Sequence, residues 1–290
     1  MSKSEDLEIH GTVAPAFEVV RTTFAENLSK RGELGGAVCV YHQGEKVVDL
    51  WGGIRDAATG GPWEEDTMVV VYSLTKGMAA MTLALAHSRG LIDYDARVAD
   101  YWPEFAQNGK EGITVRQLLA HQAGLHAFHQ KIDKDVIADL DRLAKIMAQE
   151  TPAWPLETRN AYHFLSLGFY EGELIRRVDP EHRTLGQFFQ EEIATPLDLE
   201  FYIGLPNDIP NARLARLQQA GLIESIIGLP LRMALAMINP WSHSFRACIV
   251  NPGGGVVHDK DRIYARNLEV PSGGGVGTAR AIAKAYSAFA

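Results

Sequence analysis

The chain has little cysteine, no long apolar run and no block of basic charge. Its two cysteines, Cys39 and Cys248, each sit inside an apolar stretch. With no spacing pattern around them, they read as free, buried thiols and not as a disulfide framework. No window reaches the ~20 apolar residues that a membrane-spanning helix requires. Residues 1–10 are polar and acid-rich, and no apolar segment of a secretory signal follows them. No membrane association and a cytoplasmic location are therefore expected. Lys and Arg together number 28 against 36 Asp and Glu, a net charge of −8 spread along the chain. That balance argues against nucleic acid and anionic membranes as partners.

Metal and nucleotide signatures are missing too. His121, His126 and His129 lie close together, but no Cys-x-x-Cys or His-Glu-x-x-His accompanies them. They read as loop or core histidines. The glycine-rich stretches Asn251–Val256 and Ser272–Gly277 do not follow a strand with G-x-G-x-x-G spacing, which leaves no phosphate cradle. No cofactor is expected. No repeat or low-complexity segment is present.

What is present is apolar content and helical periodicity. Of 290 residues, 46% are hydrophobic, enough for one large domain or two closely packed ones. The pattern predicts an amphipathic helix over 13–31 and a hairpin of strands 37–41 and 46–51, closed by Gly52-Gly53 and followed by a loop over 57–63. Helices are predicted from Ser73 to Arg89 with a stop at Gly90, over 98–101, over 114–120 behind a threonine cap, and over 135–149, 166–178, 185–193 and 278–289. Residues 213–239 read as an apolar helical stretch broken at Pro230, either a buried or capping helix pair or a lid over a pocket. Only the hairpin strands are plain, so further strands are expected in the C-terminal third, or else an incomplete sheet.

Ser73-Leu74-Thr75-Lys76 is the stretch that carries chemistry. It stands between the apolar run 68–72 and the helical run 77–87. A serine at a helix mouth lies near exposed backbone N–H groups. A lysine three residues on shares its face and can reach the hydroxyl. Nucleophile and base are thereby paired, the minimum for acyl transfer. Ser-x-x-Lys alone is weak evidence, because a helix-capping serine and a solvated lysine match it equally well.

The order of further stretches strengthens it. Val70 to Gly77 is followed by Arg89-Gly90-Leu91-Ile92-Asp93-Tyr94-Asp95, by Val98 to Trp102, by Ile113 to Leu125 with its Leu-Leu-x-His-x-x-Gly-Leu block, and by Ala161-Tyr162-His163 and Gly168 to Arg177. In these motifs the chain resembles the serine β-lactamase-like family of class C β-lactamases, penicillin-binding proteins, family VIII esterases and LACTB-type proteins. The resemblance implies an α+β, β-lactamase/transpeptidase-like fold over residues 11–290, behind a polar tail of residues 1–10. It has an antiparallel sheet flanked by helices and a mostly helical region. It implies Ser73 as the acylated nucleophile, Lys76 as its proton-accepting partner and Tyr162 as the phenol that passes a proton to the leaving group. The Ser73 backbone N–H would be one oxyanion donor.

Two departures from the family pattern matter. Phe164 stands where the β-lactamases carry the asparagine of Tyr-x-Asn, which favours esters over β-lactams. The family's third motif, Lys-Thr-Gly or His-x-Gly on a strand, is not found after Ser73, so the sheet is expected to be incomplete at the C-terminus. The leading expectation is a serine hydrolase acting on a small-molecule ester. The alternatives are amide or β-lactam hydrolysis or transacylation by the same residues, and a catalytically impaired relative that serves as a binding protein. A homo-oligomer stays open.

Overall fold

The computed structural model describes residues 8–218, 229–250, 254–258 and 264–290. Strand β1 (Ile9–Val13) leads into helix α1 (Glu18–Lys30), then β2 (Gly35–His42) and β3 (Glu45–Asp56). β3 is the middle strand, antiparallel to both β1 and β2, and short β4 (Gly61–Pro62) folds back on its end. The hairpin is therefore longer than its apolar run: β3 continues through Gly52-Gly53 to Asp56, and 57–63 is not all loop. Ile9 and His10, assigned above to a polar tail, belong to the first strand, because pairing with Trp51 and Gly52 satisfies their backbone groups.

A second antiparallel sheet has the order β5 (Val69–Val70), β7 (Gly275–Gly277), β6 (Phe201–Ile203). β6 and β7 are further strands of the kind expected in the C-terminal third, and β5 comes from the apolar run just before Ser73. β7 falls in the stretch 272–277 that reads as a loop.

The helices are α2 (Thr75–Ser88), α3 (Val98–Tyr101), α4 (Val115–Leu119), α5 (Lys134–Ala138), α6 (Leu140–Gln149), α7 (Ser166–Val178), α8 (Leu185–Phe189), α9 (Leu231–Ile238), α10 (His243–Phe245) and α11 (Ala279–Phe289). Several of them start behind side-chain caps. Thr114 accepts from Gln117 N–H while the Gln117 side chain returns to the Thr114 N–H, and Thr278 accepts from Ala281 N–H. The single helix predicted over 135–149 is two, because the Asp139 carboxylate caps the Arg142 N–H and starts a new helix there. The stretch 213–239 is helical only in part. Asn211–Arg213 is a 3₁₀ turn, α9 begins after Pro230, and 219–228 lies outside the described residues.

The main core is helical. Met78, Leu83, Phe169, Tyr170, Leu174, Phe188 and Phe189 bring α2, α7 and α8 together, each essentially excluded from water. Each such side chain contributes about 1.5–3 kcal/mol by leaving water. α11 packs on β2, and a smaller cluster of Met68, Val70, Leu205, Leu214, Tyr264 and Val276 closes the second sheet. The joint between helical core and second sheet falls where β5 turns into α2, at Ser73. Among the described residues Cys39 and Cys248 are free thiols, but half-buried and not fully enclosed.

Candidate active site

β5 ends at Val70, and the Val71 N–H donates to the Gly275 carbonyl at 2.9 Å. The chain then makes a single 3₁₀ turn, Tyr72–Leu74, that runs into α2. Tyr72 sits at φ +45, a left-handed conformation that costs a tyrosine energy and persists only where its surroundings impose it. Buried Thr75 does so. Its Oγ1 donates to the Tyr72 carbonyl at 2.5 Å and accepts from the Gly275 N–H at 2.9 Å. Ser73 stands directly after this constrained residue, half-buried at the head of α2.

One turn on, Lys76 points inward. Its Nζ donates to the carbonyls of Phe164 and Ser272, each at 2.7 Å, and lies 3.4 Å from Ser73 Oγ. An ammonium has three N–H bonds and a neutral amine has two plus a lone pair. Two carbonyls take two N–H bonds, so the third direction faces the serine. Deprotonated, the amine presents its lone pair to the Ser73 hydroxyl. Burial pushes the Lys76 amine below the ordinary lysine range, partly opposed by the neighbouring Tyr162 and Glu171.

Tyr162 closes the corner. Lys76 Nζ sits 4.8 Å from the centre of its ring. The side chain is 48% exposed, which sets it apart from a core aromatic and leaves it open to a bound molecule. Phe164 meets it edge-on, with ring centres 6.3 Å apart, and His121 lies on it at 5.0 Å. The structure thus gathers Ser73, Lys76 and Tyr162 from two distant segments into one corner.

The beta-lactamase family profile matches residues 20–289. The chain belongs to the beta-lactamase family. It is 35% identical over 283 residues to the esterase/beta-lactamase LipL of Mycobacterium tuberculosis, an alignment covering 97% of this chain and 64% of LipL. Among solved structures it is similar to a family VIII carboxylesterase, with TM-score 0.78 and 39% identity over 96% of this chain and 70% of that one. It is also similar to a penicillin-binding protein homologue from Caulobacter crescentus, with TM-score 0.77 and 35% identity at the same coverages. The chain thus spans somewhat under two thirds of LipL. The fold is the β-lactamase/transpeptidase-like one that the motif order implies.

Sequence reasoning missed several groups around this beta-lactamase family corner. Ser272 supplies a carbonyl to Lys76, and its Oγ accepts from the Gly168 N–H at 2.6 Å. Its only signal was the density of glycines around it. His121 is not simply a loop histidine: it packs on Tyr162, beside fully buried His163. The other two of the trio have separate duties. His126 stacks on Trp154, and His129 Nδ1 pairs with Glu150 at 2.6 Å. Glu171 on α7 is buried behind Lys76, with its Oε2 unpartnered among the described residues.

Burial gives this beta-lactamase family chain a defined pH dependence of stability. It depresses His163 from the ordinary 6.5 to about 3 and His126 to about 4. It raises Glu171 from 4.5 to about 8, against a downward pull from Lys76. As pH falls below 6.5 the unfolded chain binds protons that the folded histidines refuse, so stability falls. As pH rises from 4.5 to about 8 the unfolded chain releases the Glu171 proton that the fold retains, so stability again falls. Each group contributes a slope of about 1.4 kcal/mol per pH unit inside its window. Two histidines outweigh one carboxyl below 6.5, so these groups place maximum stability near pH 6.5. Urea unfolding between pH 6.5 and 8 should show the slope that Glu171 contributes, and Glu171→Gln should remove that contribution. An alkaline slope unchanged by that substitution would contradict the assignment.

Proposed function

We propose that the chain is a serine hydrolase that cleaves carboxylic esters through an acyl-enzyme on Ser73. The observation that carries this reading is the Lys76 amine held by two carbonyls at 2.7 Å with its third direction on Ser73 Oγ. Neutral Lys76 takes the Ser73 proton as Oγ attacks the ester carbonyl carbon. The Ser73 N–H serves as one donor to the resulting oxyanion. The Tyr162 hydroxyl, on the open side of the corner, passes a proton to the departing alkoxide, which leaves as the alcohol. Water then attacks the acyl carbon, its proton returns through the same groups, and the acid departs with Ser73 restored.

Esters are favoured over β-lactams by Phe164. Its ring lies against Tyr162 and its carbonyl is held by Lys76, so this position offers no side-chain amide to a lactam. The similarity to a family VIII carboxylesterase agrees. A second reading, amide or β-lactam hydrolysis by the same residues, draws on the similarity to LipL, an esterase/beta-lactamase, and to a penicillin-binding protein homologue.

A fluorophosphonate probe should label the wild-type chain and leave Ser73→Ala unlabelled. Equal labelling of both would remove Ser73 as nucleophile. A short-chain p-nitrophenyl ester should be turned over faster than a chromogenic cephalosporin, and the reverse order would establish the second reading.

A further inference from the structure

His121 and His163 form a contact that the proposed chemistry leaves unused. His163 is fully buried, and the backbone N–H of Leu125 donates to its Nε2 at 2.9 Å. A backbone N–H can only donate, so Nε2 is bare and the ring's proton is on Nδ1. That Nδ1 lies 2.9 Å from His121 Nδ1. The backbone N–H of His163 also donates to His121 Nδ1, at 3.1 Å. His121 Nδ1 thus accepts from two donors on one residue, which leaves Nε2 to carry its own proton.

The placement of the pair is as specific as its protonation. His121 adopts φ +62 just after α4, a left-handed conformation uncommon for residues other than glycine. Its ring centre lies 5.1 Å from that of His163 and 5.0 Å from that of Tyr162. The Ala161 N–H donates to the His121 carbonyl at 3.2 Å, which binds the segment before Tyr162 to the same residue. The titratable and charged groups around the pair are Lys76 from α2, Tyr162 from the 161–164 segment and His126 from the loop after α4.

We propose that His121 and His163 are a tautomer-locked, neutral imidazole pair that positions the Tyr162 ring over Lys76. Neither residue touches the reacting atoms, so both are positioning residues. A proton on His121 Nδ1 would face the two His163 donors, and a proton on His163 Nε2 would face the Leu125 N–H; either sets N–H against N–H. The lock therefore keeps new positive charge away from Lys76 while it fixes the phenol. The inference rests on the reading of Tyr162 as proton carrier.

The test is long-range ¹H–¹⁵N correlation of the histidine rings in the full chain, together with ester kinetics. In the wild type His163 should carry its proton on Nδ1 and His121 on Nε2. Both rings should take up a second proton only below the ordinary histidine range, since burial disfavours the charged form of each. His163→Leu, which removes both donor and acceptor, should lower kcat about 10- to 100-fold with KM changed less than about threefold, as expected for a misplaced group and not for lost binding. His163→Asn, with an amide N–H where Nδ1 stood, should recover most of that loss. Where the leucine variant fails to fold, His121→Phe applies the same test, since it keeps a ring against Tyr162 and removes the acceptor. A wild-type His121 protonated on Nδ1, or a phenylalanine variant with wild-type kcat, would overturn the proposal. If the wild type shows no Ser73-dependent turnover, the hydrolase reading fails and the tautomers alone decide the lock. If it turns over ester, and Tyr162→Phe slows it while His121→Phe does not, the lock alone fails.

Discussion

Ser73→Ala and Lys76→Met are each expected to lower kcat/KM for a p-nitrophenyl ester by about a thousandfold or more, and the double variant by no more than the worse single one. A lone serine hydroxyl at neutral pH is a poor nucleophile. Its attack depends on proton removal by a positioned base, which by itself contributes roughly 10²–10⁴. Lys76 is the amine 3.4 Å from that hydroxyl, and methionine fills its volume without an amine. Groups that act as one unit are non-additive, because once either is gone the other has nothing to do. Independent effects would instead multiply in the double variant. The pH profile checks the same assignment. Lys76 must be neutral to act, so activity should fall as pH drops through its pKa, and burial sets that limb below the ordinary lysine range. Multiplicative losses, or an acid limb that Lys76→Met leaves in place, would show that another group takes the proton.

Ser73 and Lys76 were legible in the sequence because their relation is local. Three residues on one helix face is a distance that helical geometry sets. Tyr162 was legible only through the family's motif order, since nothing in its neighbourhood distinguishes it from a core aromatic. The rest of the Lys76 environment was silent. Its two acceptors are main-chain carbonyls, a feature every residue has, and the Ser272 carbonyl lies 196 positions away. His163 and Glu171 matter for where they are buried, and burial at a helix junction leaves no local pattern. The same reasoning accounts for the fold. Helices of ten or more residues announced themselves by their apolar stripe, as Ser166–Val178 did to the residue. Strands of two or three residues, such as Val69–Val70 and Gly275–Gly277, are too short for alternation to register. The break between α5 and α6 was hidden because the apolar stripe runs on across it.

Gly168→Ala is expected to unfold the chain at distinctly lower urea and to slow acylation, although the glycine touches no reacting atom. A Cβ built there would lie 2.4 Å from Ser272 N and 2.6 Å from Pro271 C, both backbone atoms. Contacts that short are not tolerated, so α7 or the 271–275 segment must move. Over-packing of this kind costs about 1–3 kcal/mol. The segment that would move carries the Ser272 carbonyl that holds Lys76, and the Ser272 Oγ that accepts from the Gly168 N–H. Losing the carbonyl frees one N–H of the amine, and the direction of its lone pair at Ser73 is no longer fixed. Stability and acylation rate should therefore fall together. Gly172→Ala, one turn further along the same helix, separates this from a general effect of adding a methyl group. Its Cβ would meet only Leu185 Cβ, at 4.0 Å, and alanine in place of a mid-helix glycine gains about 0.5–1 kcal/mol. It should hold or raise the urea midpoint and leave fluorophosphonate labelling intact. Equal losses in both variants would mean that α7 tolerates no added volume anywhere, and that the close approach at Ser272 has no special part in aiming Lys76.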